Sequence, residues 1–529
     1  MAVRLLADHW PGLQLGGQAA TVHAILAGFP GQAAEADAEL AGLVAADELA
    51  QGSLEVAERY LGLAARGSAS VPAGRRGQVR VLLGVVRLLL ARQRGNRPAV
   101  AEEAQQLQAV AEAPEAAQSG LGEELRGLVL ISLGITEYWT AQLDDAERHL
   151  EQGIALARRI GRPFLEFTGL AYLAAVTVFR SSYARAAERS RQAVELARRH
   201  GWTDEPTAAI AYVVPATGLA WQGRLEEAEA WIQRAERTIR PEAEPTTGFG
   251  VQYVRGLIEL ARGRDHEAVA SFRAAERLAG RLAAPQYLVA RTRALLVHAL
   301  VRLGETERAE QALAGFSDQD RDRGEIRIAI AVLRLAQGDP LAAAAVLAPV
   351  LESAAPVTVR TWLAHPFMLE AIARDALGDP AAAGRAIECA LDGVEPDHVL
   401  FPFLIYPAPR LLERHARECA RHAAIVSEIL GLLPAEPGGD GKMASARLRG
   451  AVEETARLIE PLSQSEIRVL RYLPTNLSAR EIARELSVSL NTVRTHMRHL
   501  FAKLGVHRRS EAVVGARALG LLAPSPRAP

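Results

Sequence analysis

Between residues 52 and 392 one short pattern of small and large apolar positions recurs. A Gly or other small residue leads, Ala follows five positions on, a large apolar residue comes at nine, and Ala often returns at twelve. Gly52 leads to Ala57, Leu61 and Ala64, and Gly223 to Ala228, Ile232 and Ala235. Gly263 leads to Ala268, Phe272 and Ala275, and Gly378 to Ala383, Ile387 and Ala390. Shorter versions start at Ala141 (Ala146, Leu150), Ser181 (Ala186, Ala193), Gly304 (Ala309, Leu313) and Gly338 (Ala343, Leu347). Gly95 opens a degenerate one, with Val100 in the Ala slot. From Ala141 onward the starts are separated by 40, 42, 40, 41, 34 and 40 residues. Apolar positions four and three apart share one helix face, so each phrase predicts one amphipathic helix. The runs between phrases, such as Glu124–Trp139 and Phe164–Phe179, predict its antiparallel partner. The leading Gly ends the preceding helix and turns the chain. Small Ala lets two helices approach closely, and pairs that cannot bury their faces alone stack into a superhelix with a concave inner surface. The expectation is an all-α chain with a solenoid of helical hairpins over residues 1–430.

A different pattern begins at Pro461 and runs to Leu519, reading as four short helices. Ser463 to Glu466 and Ser478 to Glu481 both fit the capping box, in which Ser takes an orphan N–H and Glu reaches back to the cap. Asn476 suits the left-handed conformation that ends a helix. Ser487-Val488-Ser489 is a tight break, after which Val493, Met497, Leu500 and Leu504 form one apolar stripe. Gly505 supplies the stop, and Ser510 opens a last helix. Two helices joined by a short turn, the second exposing cations, form a helix-turn-helix pattern. Away from the stripe lie Arg494, Thr495 and Arg498. An Arg fork reaches guanine O6 and N7 together, and a Thr methyl meets a thymine methyl, so these three are expected on base edges. Arg480, Ser489, Thr492, Lys503, Arg508 and Arg509 are expected on phosphates.

Charge strengthens that reading. From Leu458 to the end there are eleven Arg and Lys against five Asp and Glu, a balance of +6, whereas the rest carries 50 basic and 57 acidic residues, or −7. A near-neutral chain has sorted positive charge into one end, as polyanion binding requires. The remainder is rich in good helix formers. Its two cysteines, Cys389 and Cys419, make neither a disulfide framework nor an expected metal set. His298, His365 and His398 stand apart from any ligand partner and are expected to pack or cap. The aromatic residues Trp139, Trp202, Trp221, Trp231, Tyr253, Tyr287 and Trp362 are expected to fill core between repeats, with an inner groove for a peptide or small effector as the alternative. Pro215 is expected to kink a helix or mark its start. The stretch Val81 to Ala91 is too short to span a bilayer, and no leader pattern opens the chain, so a cytoplasmic location is expected. Nothing looks catalytic, and no cofactor is expected.

The C-terminal residues carry a specific resemblance. Leu462 and Glu466, Val469-Leu470, Glu481-Ile482-Ala483, Val488-Ser489, Thr492-Val493-Arg494, His496, Lys503-Leu504-Gly505-Val506, Arg509 and Ala512-Val513 together resemble a LuxR-type DNA-binding domain over about sixty residues. Within that family, positions matching Arg494, Thr495 and Arg498 are used toward bases. The run from Leu473 to Ala479 is similar to a narrower group, the large LuxR regulators related to the maltose-operon activator. Asn476 replaces a common Gly, and Arg494 a favoured Lys. The repeats resemble tetratricopeptide-type units with a longer period, and the same large regulators carry such a region. The resemblance implies a transcriptional regulator, most simply an activator, that binds double-stranded DNA as a homodimer through Ser510, Val513, Val514 and Arg517. It also implies contact with RNA polymerase and an effector or protein partner on the solenoid. A solenoid adaptor for other proteins is the alternative.

A break of Pro and Gly from Leu433 to Lys442 predicts a linker over 431–457 and a DNA-binding domain over 458–525. Gly441-Lys442 is no phosphate loop: Glu436 replaces its first Gly, and Met443 its Ser or Thr. The large regulators carry an ATP-binding domain ahead of their repeats. Here Met1 opens directly in the helical pattern, consistent with a shortened relative or an incomplete gene product. This polypeptide is expected to bind no MgATP, and a saturable micromolar site in isothermal titration would contradict that.

Overall fold

Each recurring phrase folds as one helix, and each intervening run as another. The structure is a computed structural model that describes residues 2–433 and 464–516, apart from 31, 113–120, 181, 240–243, 284–287, 356, 358–361, 395–396, 476, 487, 504–505, 507–508, 510–511 and 514–515. The described residues contain helices and no strand. They fall in two compact units, Met1–His415 and Ala416–Pro529.

In the first unit the phrases become helices such as Leu143–Arg159, Leu225–Thr238, Asp265–Ala279 and Pro380–Asp392. Their partners include Leu121–Trp139, Pro163–Phe179, Pro245–Ala261 and Ala364–Ala376. Ala146, Leu150, Ala228, Ile232, Ala235, Ala268, Phe272 and Ala275 are all fully buried. The large residue of a phrase docks where its partner helix has no side chain. A Cβ added at Gly256 would sit 2.4 Å from the Phe272 ring. The partner helices are buried almost all round: Pro163–Phe179 buries every residue from Phe167 to Val178. That is the pattern of an inner helix packed on several sides.

Helix ends follow the same local logic. Pro340 and Pro380 sit at first helical positions, where a missing N–H costs nothing. Asp339 and Asp379 cap those helices, accepting from Ala342 N and Ala382 N at 2.9 Å. The turns before the phrases are left-handed. Gly52, Gly95, Gly223, Gly263, Gly304, Gly338 and Gly378 have φ between 64° and 82°, and Ala141 takes the same conformation at 62°. Ser181, the remaining lead, lies outside the described residues, as does Tyr287. Pro215 lies inside Ala208–Trp221.

The later repeats hold a feature the repeat pattern does not predict. Residues 397–406 turn back across partner helices far earlier in the chain. Asp397 accepts at its carbonyl from Gln222 Nε2 (3.1 Å) and at Oδ1 from Tyr183 N (3.3 Å), while Leu400 N donates to Trp221 O (2.8 Å). His298 Nε2 bonds the Ile405 carbonyl, and His365 Nδ1 the Tyr406 hydroxyl, each at 3.1 Å. Phe401 and Phe403 are fully buried, with Phe401 4.8 Å from the Trp221 ring. Burial holds both histidines neutral, down to about 3. They serve packing, as expected. Trp139, Trp202, Trp221, Tyr253 and Trp362 are buried as well. No helix among the described residues is long and apolar enough to cross a membrane.

A left-handed Ala is strained where Gly is not. Ala141→Gly should therefore stabilise the repeat unit by about 0.5–1 kcal/mol, and Gly304→Ala should destabilise it by about 1 kcal/mol. Paired urea melts check both, and a loss of stability in Ala141→Gly would refute the turn argument.

Candidate nucleic-acid interface

The C-terminal unit is assembled around two small apolar clusters. Val469, Ile482, Ala483 and Val493 form one, with Leu486 and Leu490 packed against it. Leu470, Leu473, Leu500, Ala512 and Ala516 form the other, with Phe501, Val506 and Val513 against it. Met497 touches both. The helices are Gln464–Leu470, Ala479–Glu485 and Leu490–Lys503. Their start signals are explicit. Ser478 N donates to Glu481 Oε2 at 2.7 Å and Glu481 N returns to Ser478 Oγ, a complete capping box. Hydrogen bonds from the Ser478 hydroxyl and N–H hold the Glu481 carboxyl below its ordinary range. Ser489 Oγ accepts from Thr492 N at 3.0 Å and bonds the Thr492 hydroxyl at 2.7 Å, capping the third helix.

Burying Val493 and Leu500 turns the opposite face of Leu490–Lys503 outward. Arg494 and Arg498 are exposed there, and Thr495 is half-buried beside them. Neither arginine makes an ion pair among the described residues. Arg480 is exposed on the preceding helix, and Ser489 and Thr492 lie at the start of the third. An exposed guanidinium pair on a helix held against two others can meet acceptors on base edges, while a capped helix start offers N–H groups to an anion.

Two cations expected on phosphates also make contacts within the fold. Lys503 Nζ stands 3.0 Å from Glu466 Oε2, and that carboxylate is only 4% exposed. Glu466 thus reaches the far end of the third helix; Ser463, the expected cap before it, lies outside the described residues. Arg509 Nε donates to Leu473 O (3.0 Å), Nη1 to Leu477 O (2.6 Å), and Nη2 to Tyr472 O (3.0 Å) and Thr475 O (2.8 Å). One guanidinium gathers four carbonyls from the end of the first helix and the following loop, where helical pairing has run out. Val513, expected at a dimer contact, is half-buried against the second cluster. Asn476, Ser487, Leu504, Gly505, Arg508, Ser510, Val514 and Arg517 lie outside the described residues. Acid–base pairing 37 residues apart has no local sequence signal, which is why the Glu466–Lys503 bond was not anticipated.

These features define a helix-turn-helix unit on a chain whose larger unit is a helical-repeat solenoid. Comparison with known proteins agrees. The description "MalT-like TPR region" matches residues 83–414, and "Bacterial regulatory proteins, luxR family" matches residues 460–516. The chain belongs to the family with the MalT-like TPR region, and its residues 460–516 match the luxR family of bacterial regulatory proteins. Among curated relatives, the Fimbriae Z protein of Salmonella typhimurium is 42% identical over 62 residues, which is 12% of this chain and 30% of that protein. The HTH-type transcriptional regulator MalT of Yersinia pestis is 46% identical over 59 residues, 11% of this chain and 6% of MalT. The match therefore spans under a third of either relative. A crystal structure of Rap protein complexed with competence and sporulation factor superposes on 68% of this chain and 98% of its own, at 13% identity and a TM-score of 0.46.

Removing Lys503 takes away the cation beside a buried carboxylate. Lys503→Ala should destabilise the C-terminal unit by about 1–3 kcal/mol, and Arg509→Lys by a similar amount, because an ammonium cannot span four carbonyls. Thermal melts followed by far-UV circular dichroism read both. Wild-type stability in both variants would remove these side chains from the account of the fold.

Proposed function

We propose that the protein regulates transcription by laying Leu490–Lys503 in the major groove of promoter DNA. Arg494, Thr495 and Arg498 read base edges, while Arg480, Ser489, Thr492 and Arg508 hold phosphates. The observation that carries this reading is the exposed Arg494–Arg498 pair on the face opposite buried Val493 and Leu500. The functional division is a repeat region over 1–430, a linker over 431–457 and a DNA-binding domain over 458–525. Binding is as a homodimer through the segment from Ser510, in the cytoplasm, with activation through RNA polymerase. The repeats sense an effector or protein partner that sets DNA affinity.

Full-length protein is expected to bind duplex DNA with a log–log salt slope of about −0.9 per phosphate contact. Arg498→Ala should cost about 1–3 kcal/mol on a preferred site selected from a random pool and relax base preference there. Arg480→Ala should weaken preferred and random DNA alike. Fluorescence anisotropy across a salt series reads all three. Absent or salt-insensitive binding to every duplex in the pool would favour the solenoid adaptor instead.

A further inference from the structure

The inner side of the repeat unit is used unevenly. Residues 397–406 occupy the later repeats with fully buried apolar side chains. Toward the N-terminus a cavity of about 110 Å³ remains open, between the ends of Ala2–Leu15, Ala38–Ala50 and Arg76–Gln93 and the helices Leu121–Trp139 and Pro163–Phe179. The cavity is open on one side, so a small ligand larger than that volume can seat in it with one end outside.

The cavity is lined in two chemically distinct ways. Leu89, Ile131 and Phe164 give it apolar walls, and Arg92, Glu205 and Glu244 bring charge into it. Among the described residues the Arg92 guanidinium has no hydrogen-bond or ion-pair partner, and it feels Glu244 through space rather than through a contact. The Glu205 carboxyl likewise has none among the described residues, and Glu244 has the Thr247 hydroxyl as a neighbour. Gln93 Oε1, beside them, is fully buried without a partner. Burial pulls the Arg92 pKa down and pushes those of Glu244 and Glu205 up. Half-buried charges of both signs that do not pair with each other carry a desolvation cost, and that cost falls when a ligand supplies the counter-charges.

We propose that this cavity binds a free α-amino acid with an apolar side chain. Arg92 takes its carboxylate through a bidentate fork, Glu244 and Glu205 take its ammonium, and the walls formed by Leu89, Ile131 and Phe164 take its side chain. Gln93 Oε1 accepts a further ammonium proton. This deepens the reading of the repeats as the sensing region, and it names the chemistry sensed.

The test is isothermal titration of the full-length protein with L-leucine, without DNA, so that failure of DNA recognition leaves the result untouched. A saturable one-to-one site is expected. L-leucinamide, which keeps the ammonium and stands in for a peptide amino terminus, should bind at least about tenfold more weakly, as should 4-methylpentanoate, which keeps only the carboxylate. Arg92→Gln and Glu244→Gln should each weaken L-leucine by about tenfold or more, with melts confirming the fold. The analogue series on unaltered protein keeps the test decisive if a variant does not fold. No saturable binding of L-leucine or L-valine up to about 10 mM, or leucinamide equal to leucine, would overturn the proposal.

Discussion

Close helix approach at one small position in each repeat is the constraint on which the rest of the molecule depends. Ala146, Ala228, Ala268 and Ala383 have no exposed surface, and the large residue four positions on, such as Phe272, presses into a helix surface lacking a side chain. A larger residue in the small slot would separate the pair, and strain of that kind costs about 1–3 kcal/mol in a packed core. The left-handed turn before each phrase sets where the next helix begins, so turn and slot together fix the repeat. Only with the inner helices held this closely can residues 397–406 lie against Tyr183, Trp221, His298 and His365 at once.

Arginine does two different jobs along the chain. In the repeat unit many of its forks are spent on neighbouring carboxylates: Arg255 meets Glu229 at 2.7 Å and Glu236 at 2.6 Å, and Arg262 meets Glu229 at 2.7 Å. Half-buried networks of this kind tie helices together while contributing little field at a distance. In the C-terminal unit Arg509 is spent on carbonyls, but Arg494 and Arg498 are left outward. The sorted charge visible in composition thus becomes a surface only because Val493 and Leu500 fix which side of one helix is buried.

Much of this was legible from residue order alone. Repeat phrases, left-handed Gly turns, the Ser478–Glu481 box and the outward Arg pair all rest on contacts within a few residues, and local spacing encodes such contacts directly. What escaped depends on pairs distant in the chain. The return of residues 397–406 joins positions up to 214 apart, and Lys503 finds Glu466 across 37 residues. A basic side chain near a recognition helix looks alike in sequence whether it faces phosphate or a buried carboxylate. Only the fold of the C-terminal unit separates Lys503 and Arg509 from Arg494 and Arg498. The charged cavity escaped for the same reason, since Arg92, Glu205 and Glu244 come from three separate repeats.

The central claim is that one helix face meets base edges in the major groove. Methylation interference on a selected site tests it most directly, because dimethyl sulfate marks guanine N7 in the major groove and adenine N3 in the minor groove. The account predicts that methylated guanine N7 blocks binding of the wild-type protein, and that Arg498→Ala loses sensitivity at one such guanine while keeping the others. Interference confined to adenine N3, or an unchanged pattern in Arg498→Ala, would contradict it.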